Sequence, residues 1–326
     1  MKFPLSLAAA AARLLPSSLN RLIYRIRPLA RFIRGGLNRA APNGLTRVTV
    51  AGGGLQGAEL WIDLQNKKNY WLGTYEPELQ AAVAAWLRPG MVVYDVGANI
   101  GYVSLLISRV VGGKKPGFSK KPGFFPGEQN PGFSEEKKPG FSEKPGFSPG
   151  KVFAFEPLPS NLERMAANFA LNPWANITTV AAAAVDCPGP VRFLAHASAA
   201  MGKAAGSAGR ANETYVGEIE VQGLTLDGFA YAETGRVPQA IKMDIEGGEV
   251  LALRGMTRLL SEARPLLLVE LHGPEAARCA WDTLTAAGYR ILRMQPGYPQ
   301  VPSLEALDWK AYIVAEPADF NRELRE

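Results

Sequence analysis

Two apolar runs in this chain end in clusters of ionisable side chains. The segment IKMDIEGGE carries Lys242, Asp244 and Glu246, and the segment LLLVELHG carries Glu270 and His272. If the first run continues as a strand, Lys242, Asp244 and Glu246 share one face by the two-residue period of an extended chain. Carboxylates and an imidazole gathered at one rim suit proton transfer to and from a bound molecule. His272 is the leading general base, because its unperturbed pKa is near the working pH. Glu246 is the rival base, Asp244 orients the bound molecules, and Glu270 completes the substrate side of the rim. Lys242 pairs with a carboxylate, since an unpaired cation buried in a sheet is costly. Plainer readings stand beside these. His272 could be a turn histidine with satisfied hydrogen bonds, and Glu246 and Glu249 could be first-turn acids that favour a helix dipole. Asp244, Glu246 and Glu270 offer oxygens that suit magnesium, but no dedicated ligand spacing is visible and no metal site is assigned.

A second set of residues points to a nucleotide-like ligand. MVVYDVGANIG, residues 91–101, is an apolar run that reaches Asp95 and then turns through Gly97, Asn99 and Gly101. A buried strand feeding a tight glycine turn and then a helix delivers free N–H groups to a ligand at the strand's carboxyl end. Dinucleotide sites place G-x-G-x-x-G there, and this chain has none. A carboxylate two residues before the first glycine repels a pyrophosphate. It suits a cation such as the amino group or sulfonium of S-adenosylmethionine. The next apolar run, KVFAFEP, ends in Glu156, in the place expected to hold ribose hydroxyls about 20 residues after the turn.

Asp95 and Glu156 stand 61 residues apart, and the excess has a visible source. Residues 113–150 repeat KPGF and hold seven prolines and eight glycines in 38 residues, which excludes a regular helix or a central strand. Without them the separation falls to 23. The segment reads as an insertion between the first helix and the second strand. It therefore hangs from the face opposite the ligand.

Strand and helix patterns alternate along the rest of the chain. The expected elements are a helix over 160–171 capped by Ser160, a strand over 177–184 followed by Asp186, and a strand near 219–226. A core strand at 240–245 leads into a helix to about 260, and a strand at 266–271 into a helix over 275–287. A helix-free pair at 289–294 and 311–315 closes the chain. This pattern predicts an α/β, doubly wound, mostly parallel sheet with an antiparallel final strand. GTYEPE, with Tyr75 and Glu76, precedes a helix near 79–87 and forms either a lid over the site or a structural cap.

GTYEPE at Gly73, DVGANIGYVS at Asp95, FAFEP at Phe153, IKMDIEGGE at Ile241 and VELHG at Val269 together resemble the FkbM-type methyltransferases. The resemblance covers roughly residues 45–315 apart from the insertion. It implies a class I methyltransferase (Rossmann-like) fold with a seven-stranded sheet and S-adenosylmethionine as cofactor. It also implies O-methylation of a hydroxyl on a sugar, glycan, lipid or natural product. Asp95, Gly97, Asn99, Gly101 and Glu156 are the implied cofactor contacts, with Asp186 on the adenine side.

Composition bounds the remainder. The expected organisation is a basic extension over 1–45, a cap or lid segment over 46–90, and a core over 91–326 interrupted by the insertion. Cys187 and Cys279 are isolated, which fits a reducing compartment rather than a disulfide framework or a zinc site. Nine basic and no acidic residues lie between Met1 and Arg47. Residues 19–34 interleave arginines with apolar side chains, which suggests contact with a membrane surface, although Pro28 interrupts any helix. No apolar run is long enough to span a bilayer. A cytoplasmic location, resting on the inner face of the membrane, is expected, with no nucleic-acid partner. The competing functions are an NAD-dependent oxidoreductase on a similar sheet, disfavoured by the missing glycine pattern, and a non-catalytic membrane-associated relative.

Overall fold

The apolar runs become the strands of one large sheet. A computed structural model describes residues 39–113, 150–196, 202–209 and 215–318. Its seven-stranded sheet contains β3 (Val92–Val96), β4 (Lys151–Phe155), β5 (Ile177–Val180), β10 (Ala240–Met243), β11 (Leu266–His272), β12 (Tyr289–Arg293) and β13 (Lys310–Pro317), in the order β12-β13-β11-β10-β3-β4-β5. Neighbours from β11 through to β5 run parallel, and β13 is antiparallel to both of its neighbours. The closing pair is therefore as the sequence predicts.

Central strands that are apolar on both faces must be covered on both. Val93, Leu266 and Leu268 pack into one core layer. There they meet Leu105 and Leu106 of α3 (Tyr102–Val111) and Val83 of α2 (Pro77–Trp86). Tyr94, Val96, Leu267 and Val269 point the other way. They pack with Leu253 of α5 (Glu249–Arg254) and Leu284 of α6 (Pro274–Ala286). The two-residue alternation of the sequence thus becomes two cores, one on each face. Four aromatic rings, Tyr94, Phe153, Phe155 and Phe229, interlock in the second layer at centroid distances of 4.9–5.6 Å.

Some expectations need correction. The 177–184 strand divides: β5 stays in the main sheet, while β6 (Ala183–Ala184) joins a second, four-stranded sheet with β7 (Gly189–His196), β8 (Lys203–Ala204) and β9 (Tyr215–Leu224). The strand expected near 219–226 appears as β9, but its antiparallel partner β7 and an N-terminal hairpin of β1 (Leu45–Thr49) and β2 (Glu59–Asp63) have no counterpart in the sequence reading. Helix α4 (Pro159–Ala170) begins one residue early, with Pro159 in its first turn and no side-chain cap from Ser160. The Glu156 carboxylate instead accepts the Leu158 amide at 3.0 Å. Ala40 and Ala41 are buried in the core. Helix α1 (Lys68–Leu72) also lies within the segment read as a cap.

Most of the KPGF segment lies outside the described residues, but its two ends meet. The Gly150 amide donates to Val111 O and the Lys151 amide to Met91 O, at the amino edge of the sheet. A chain lacking residues 114–149 is expected to keep kcat within about twofold of the intact protein, because loops at that edge are far from the strand tips where ligands bind. A folded deletion variant without activity, measured with the same acceptor, would show that the segment reaches the site.

Candidate active site

Gly97 lies at the tip of β3 with φ +82°, and a Cβ there would fall 1.9 Å from Asp244 O. Only glycine lets these two strand ends approach so closely. The Gly97 and Ala98 amides donate to Phe155 O at 3.1 and 2.9 Å, fixing the turn against β4. Gly101 opens α3 with φ +83°, and a side chain there would strike the Phe169 ring. Asn99 takes a left-handed φ of 52°, which directs its own amide to Glu156 Oε2 at 2.9 Å. Glu156 is 5% exposed and also accepts from Leu158 N and Asn161 Nδ2. Burial pushes its carboxyl up to about 7, against the pull of those three donors.

Gly97, Ala98, Asn99, Glu156, Leu158 and Asn161 line a cleft at the carboxyl edge of the main sheet, with about 820 Å³ of space once its open solvent is included. Gly97, Asn99 and Glu156 form one wall, and Lys242, Asp244 and Glu246 another. Ala182, Ala183 and Ala184 close the far end with Leu158, Phe193 and Ala204. Asp186, expected on the adenine side, is exposed and is not among the lining residues. The chain turns into the second sheet at β6, so it is the backbone and methyl groups of the alanines that face the cleft.

Asp95 also needs correction. It is 0% exposed and lies beneath the cleft rather than on its surface. Lys242 Nζ stands 3.0 Å from its Oδ1, and Ser104 Oγ donates to its Oδ2 at 2.6 Å. The same ammonium donates to Gly97 O at 2.9 Å. Burial opposes the charge on Lys242, but the Asp95 carboxylate outweighs it and raises the ammonium's pKa. Asp95 thus acts on the glycine turn through Lys242, and no direct contact with the cofactor's cation is open to it. The pairing expected for Lys242 is as observed. Removing one partner of such a buried pair costs about 3–5 kcal/mol, since the other charge is left stranded.

The rim itself is a network of charges. His272 is 1% exposed and does not line the cleft. Its Nδ1 lies 3.1 Å from Glu249 Oε1 and its Nε2 lies 3.0 Å from Glu270. Asp244 and Glu246 are 3.9 and 3.7 Å from Nε2. Burial works against a charged ring, but the Glu249 and Glu270 hydrogen bonds override it and push the imidazole up to about 10. A ring already protonated at neutral pH cannot accept a proton, so His272 is a fixed cation and not the base expected from the sequence. Glu270 is likewise a counter-ion, in contact with both His272 and Lys310, and not a cleft group. Asp244 is left in the cleft with its carboxyl raised, first by burial and then by the Glu270 charge. Glu246 lines the cleft with a left-handed φ of 53°, an uncommon conformation for a non-glycine residue and one that clusters at functional sites.

The GTYEPE segment reaches the cleft through Tyr75. Tyr75 stacks on Tyr70 with ring centroids 4.1 Å apart, and both meet Tyr102 edge to face. All three line the cleft. The Gln80 amide of α2 donates to Gly73 O and Tyr75 O and accepts from Gly54 N, which holds the segment in place. Glu76, with φ 42°, is raised by burial and is close to Asp244 and Glu270. Sequence reasoning missed Tyr70, Tyr102, Asn161 and Lys310. Glu249, read as a helix-dipole acid, also proves to be the partner of His272; it does accept the Ile245 amide at 3.1 Å as a first-turn acid would.

Among the described residues two clusters could offer ligand atoms to a metal ion, Asp244–Glu246–His272 and Glu76–Asp244–Glu270. Lys242 brings positive charge to Asp244 and Glu76, and His272 and Lys310 bring it to Glu270.

A glycine turn after the first strand, an acid at the tip of the second, and a sheet closed by an antiparallel hairpin strand define a class I methyltransferase. Residues 95–291 match the Methyltransferase FkbM domain. The chain belongs to the FkbM methyltransferase family, and its cofactor is S-adenosylmethionine. A hexuronic acid methyltransferase of Haloferax volcanii, AglP, is 30% identical over 127 residues, which is 37% of this chain and 47% of that protein. The chain thus aligns with about half the length of this curated relative. A methyltransferase FkbM structure from Methylobacillus flagellatus is 18% identical, with a TM-score of 0.39 over 78% of this chain and 53% of the other. Aeropyrum pernix fibrillarin, solved with S-adenosylmethionine, is 11% identical, with a TM-score of 0.37 over 73% of this chain and 74% of the other.

The described residues fit that cofactor. A Cβ at Gly97 would block the turn, and the ribose-side acid Glu156 is buried at the cleft wall. Of the residues expected at the cofactor, Gly97, Asn99 and Glu156 line the cleft, and Gly101 opens the helix behind them. Family membership sets aside the oxidoreductase reading.

Proposed function

We propose that this methyltransferase acts on a hydroxyl oxygen of a sugar or glycan, with Asp244 as the general base. The observation that carries the reading is the Asp244 carboxylate, placed in the cleft and raised by burial and by Glu270. A base is most useful when its pKa approaches the working pH. The bound cofactor supplies a methyl group already activated by its sulfonium. Glu156 and the close-packed backbone of the glycine turn would hold the adenosyl part. Asp244 is placed to accept the hydroxyl proton; the oxygen would take the methyl by cleavage of the cofactor's S–CH3 bond, with S-adenosylhomocysteine leaving. His272 and Lys242 balance the carboxylates from behind, and the three tyrosines exclude water from the mouth. Glu246 orients the acceptor. The 30% identity to a hexuronic acid methyltransferase supports a sugar acceptor.

No helix among the described residues is long and apolar enough to cross a membrane. Residues 19–34 lie outside them. Contact of that basic segment with an anionic membrane surface on the cytoplasmic side remains part of the proposal, and nucleic acid is not among the partners proposed.

The test is incubation of the protein with S-adenosylmethionine and glycan extracts, followed by mass spectrometry. A 14-dalton gain on a sugar whose methyl survives as an ether supports the reading. Transfer to nitrogen alone overturns it. Because three cations already compensate the carboxylates, chelation with EDTA is expected to leave turnover unchanged. Activity lost to EDTA and restored by magnesium would instead place a divalent cation among Asp244, Glu246 and the neighbouring acids.

A further inference from the structure

We propose that Trp309 is the platform on which the acceptor's sugar ring stacks, and that it thereby selects the acceptor. The inference rests on the sugar reading above and adds a residue to it. Trp309 is 44% exposed, just before β13. A single exposed apolar side chain is ordinary on a protein surface; what sets this one apart is how it is held and what it faces. The Gly273 amide, next to His272 at the tip of β11, donates to Trp309 O at 2.7 Å. On the other side Lys310 pairs in register with His272 and makes an ion pair with Glu270. The backbone that carries the indole is therefore fixed to the same strand tip as the charged rim.

A glycine floor lies between the indole and that rim. A Cβ on Gly273, which has φ +96°, would stand 3.8 Å from the indole Nε1 and 3.7 Å from Gly209 Cα. A Cβ on Gly209 would stand 2.6 Å from Glu246 O. Two residues without side chains thus separate Trp309 from Glu246. Lys203 adds a donor nearby. It is largely buried, its ammonium donates to Ala208 O at 2.9 Å, and it lies in the field of Glu246.

A pyranose has an apolar C–H face and a rim of hydroxyls. An indole offers a large rigid surface to the former at small entropic cost. The carboxylates of Glu246 and Asp244 accept from the latter. The arrangement fits a ring laid on Trp309 with one hydroxyl directed into the cleft.

The test uses methyl hexopyranosides and methyl hexuronosides as probes, with saturation-transfer NMR in the presence of S-adenosylhomocysteine. Wild type and Trp309→Phe are expected to bind a probe through its ring C–H groups. Trp309→Ala is expected to bind it about tenfold more weakly, with unchanged S-adenosylhomocysteine affinity to show that the fold is intact. With a turned-over acceptor, the same variant should raise KM and leave kcat in place. Equal binding of the probe by Trp309→Ala and wild type overturns the platform and leaves the sugar reading standing. A wild type that binds S-adenosylhomocysteine but none of the sugars overturns both.

Discussion

Asp244→Asn is expected to lower kcat by about 10²–10⁴-fold, the usual contribution of a positioned general base, while leaving S-adenosylhomocysteine affinity within experimental error. Asparagine matches aspartate in shape and still offers an oxygen to hydrogen-bond a hydroxyl, but it cannot take up a proton. The pH profile sharpens the test. A base works in its ionised form, and both burial and the Glu270 charge raise the Asp244 pKa. Wild-type kcat should therefore climb as pH rises through that raised value, and the residual activity of the asparagine variant should be flat over the same range. His272 cannot mimic this behaviour, because its pKa of about 10 keeps it charged throughout. Retention of wild-type kcat by Asp244→Asn would pass the base role to Glu246, and Glu246→Gln measured alongside would decide it.

Glu156→Gln should weaken cofactor binding by about 1–3 kcal/mol through the loss of charge-assisted hydrogen bonds. Glu156 also predicts a pH dependence of its own. Its carboxyl is pushed up to about 7 by burial, so it is largely protonated at pH 6 and largely ionised at pH 8. The ionised form accepts ribose hydroxyls better, so affinity for S-adenosylhomocysteine should rise across that interval and then level off. In the glutamine variant the affinity should be low and independent of pH. The stability linkage has the opposite sign. A carboxyl with a raised folded pKa stabilises the fold most below its unfolded value and loses that contribution as pH rises through about 7. The wild-type protein therefore gives up some stability in the range where it gains affinity. Calorimetry showing a pH-independent wild-type affinity would remove Glu156 from the binding site.

Much of the site was legible because it depends on short spacings. Val92, Val93 and Val96 around Asp95 could only be a buried strand, and Gly97 and Gly101 could only be a turn of close backbone approach. Glu156 followed once the KPGF repeats were set aside. The readings that failed share one cause. The fate of Asp95, His272 and Asp186 depends on which group from a distant part of the chain lies beside each. Asp95 meets Lys242 and Ser104. Asp186 turns outward because the chain leaves the main sheet at Ala183. Nothing in the local pattern around these positions records such neighbours.

The sequence by itself determined the order of the main-sheet strands and the helices between them, the glycine turn, the acid after the second strand, and the family. These are properties of local periodicity and of backbone angles that only certain residues adopt. Tertiary structure alone decided which acid can take a proton. A side chain's affinity for protons is set by the charges and burial around it, and three carboxylates from residues 244–249 join Glu270 of its own strand around His272. That convergence holds the residue with the most suitable intrinsic pKa as a cation, and it leaves in the cleft a carboxylate with a raised pKa, the group proposed as the base.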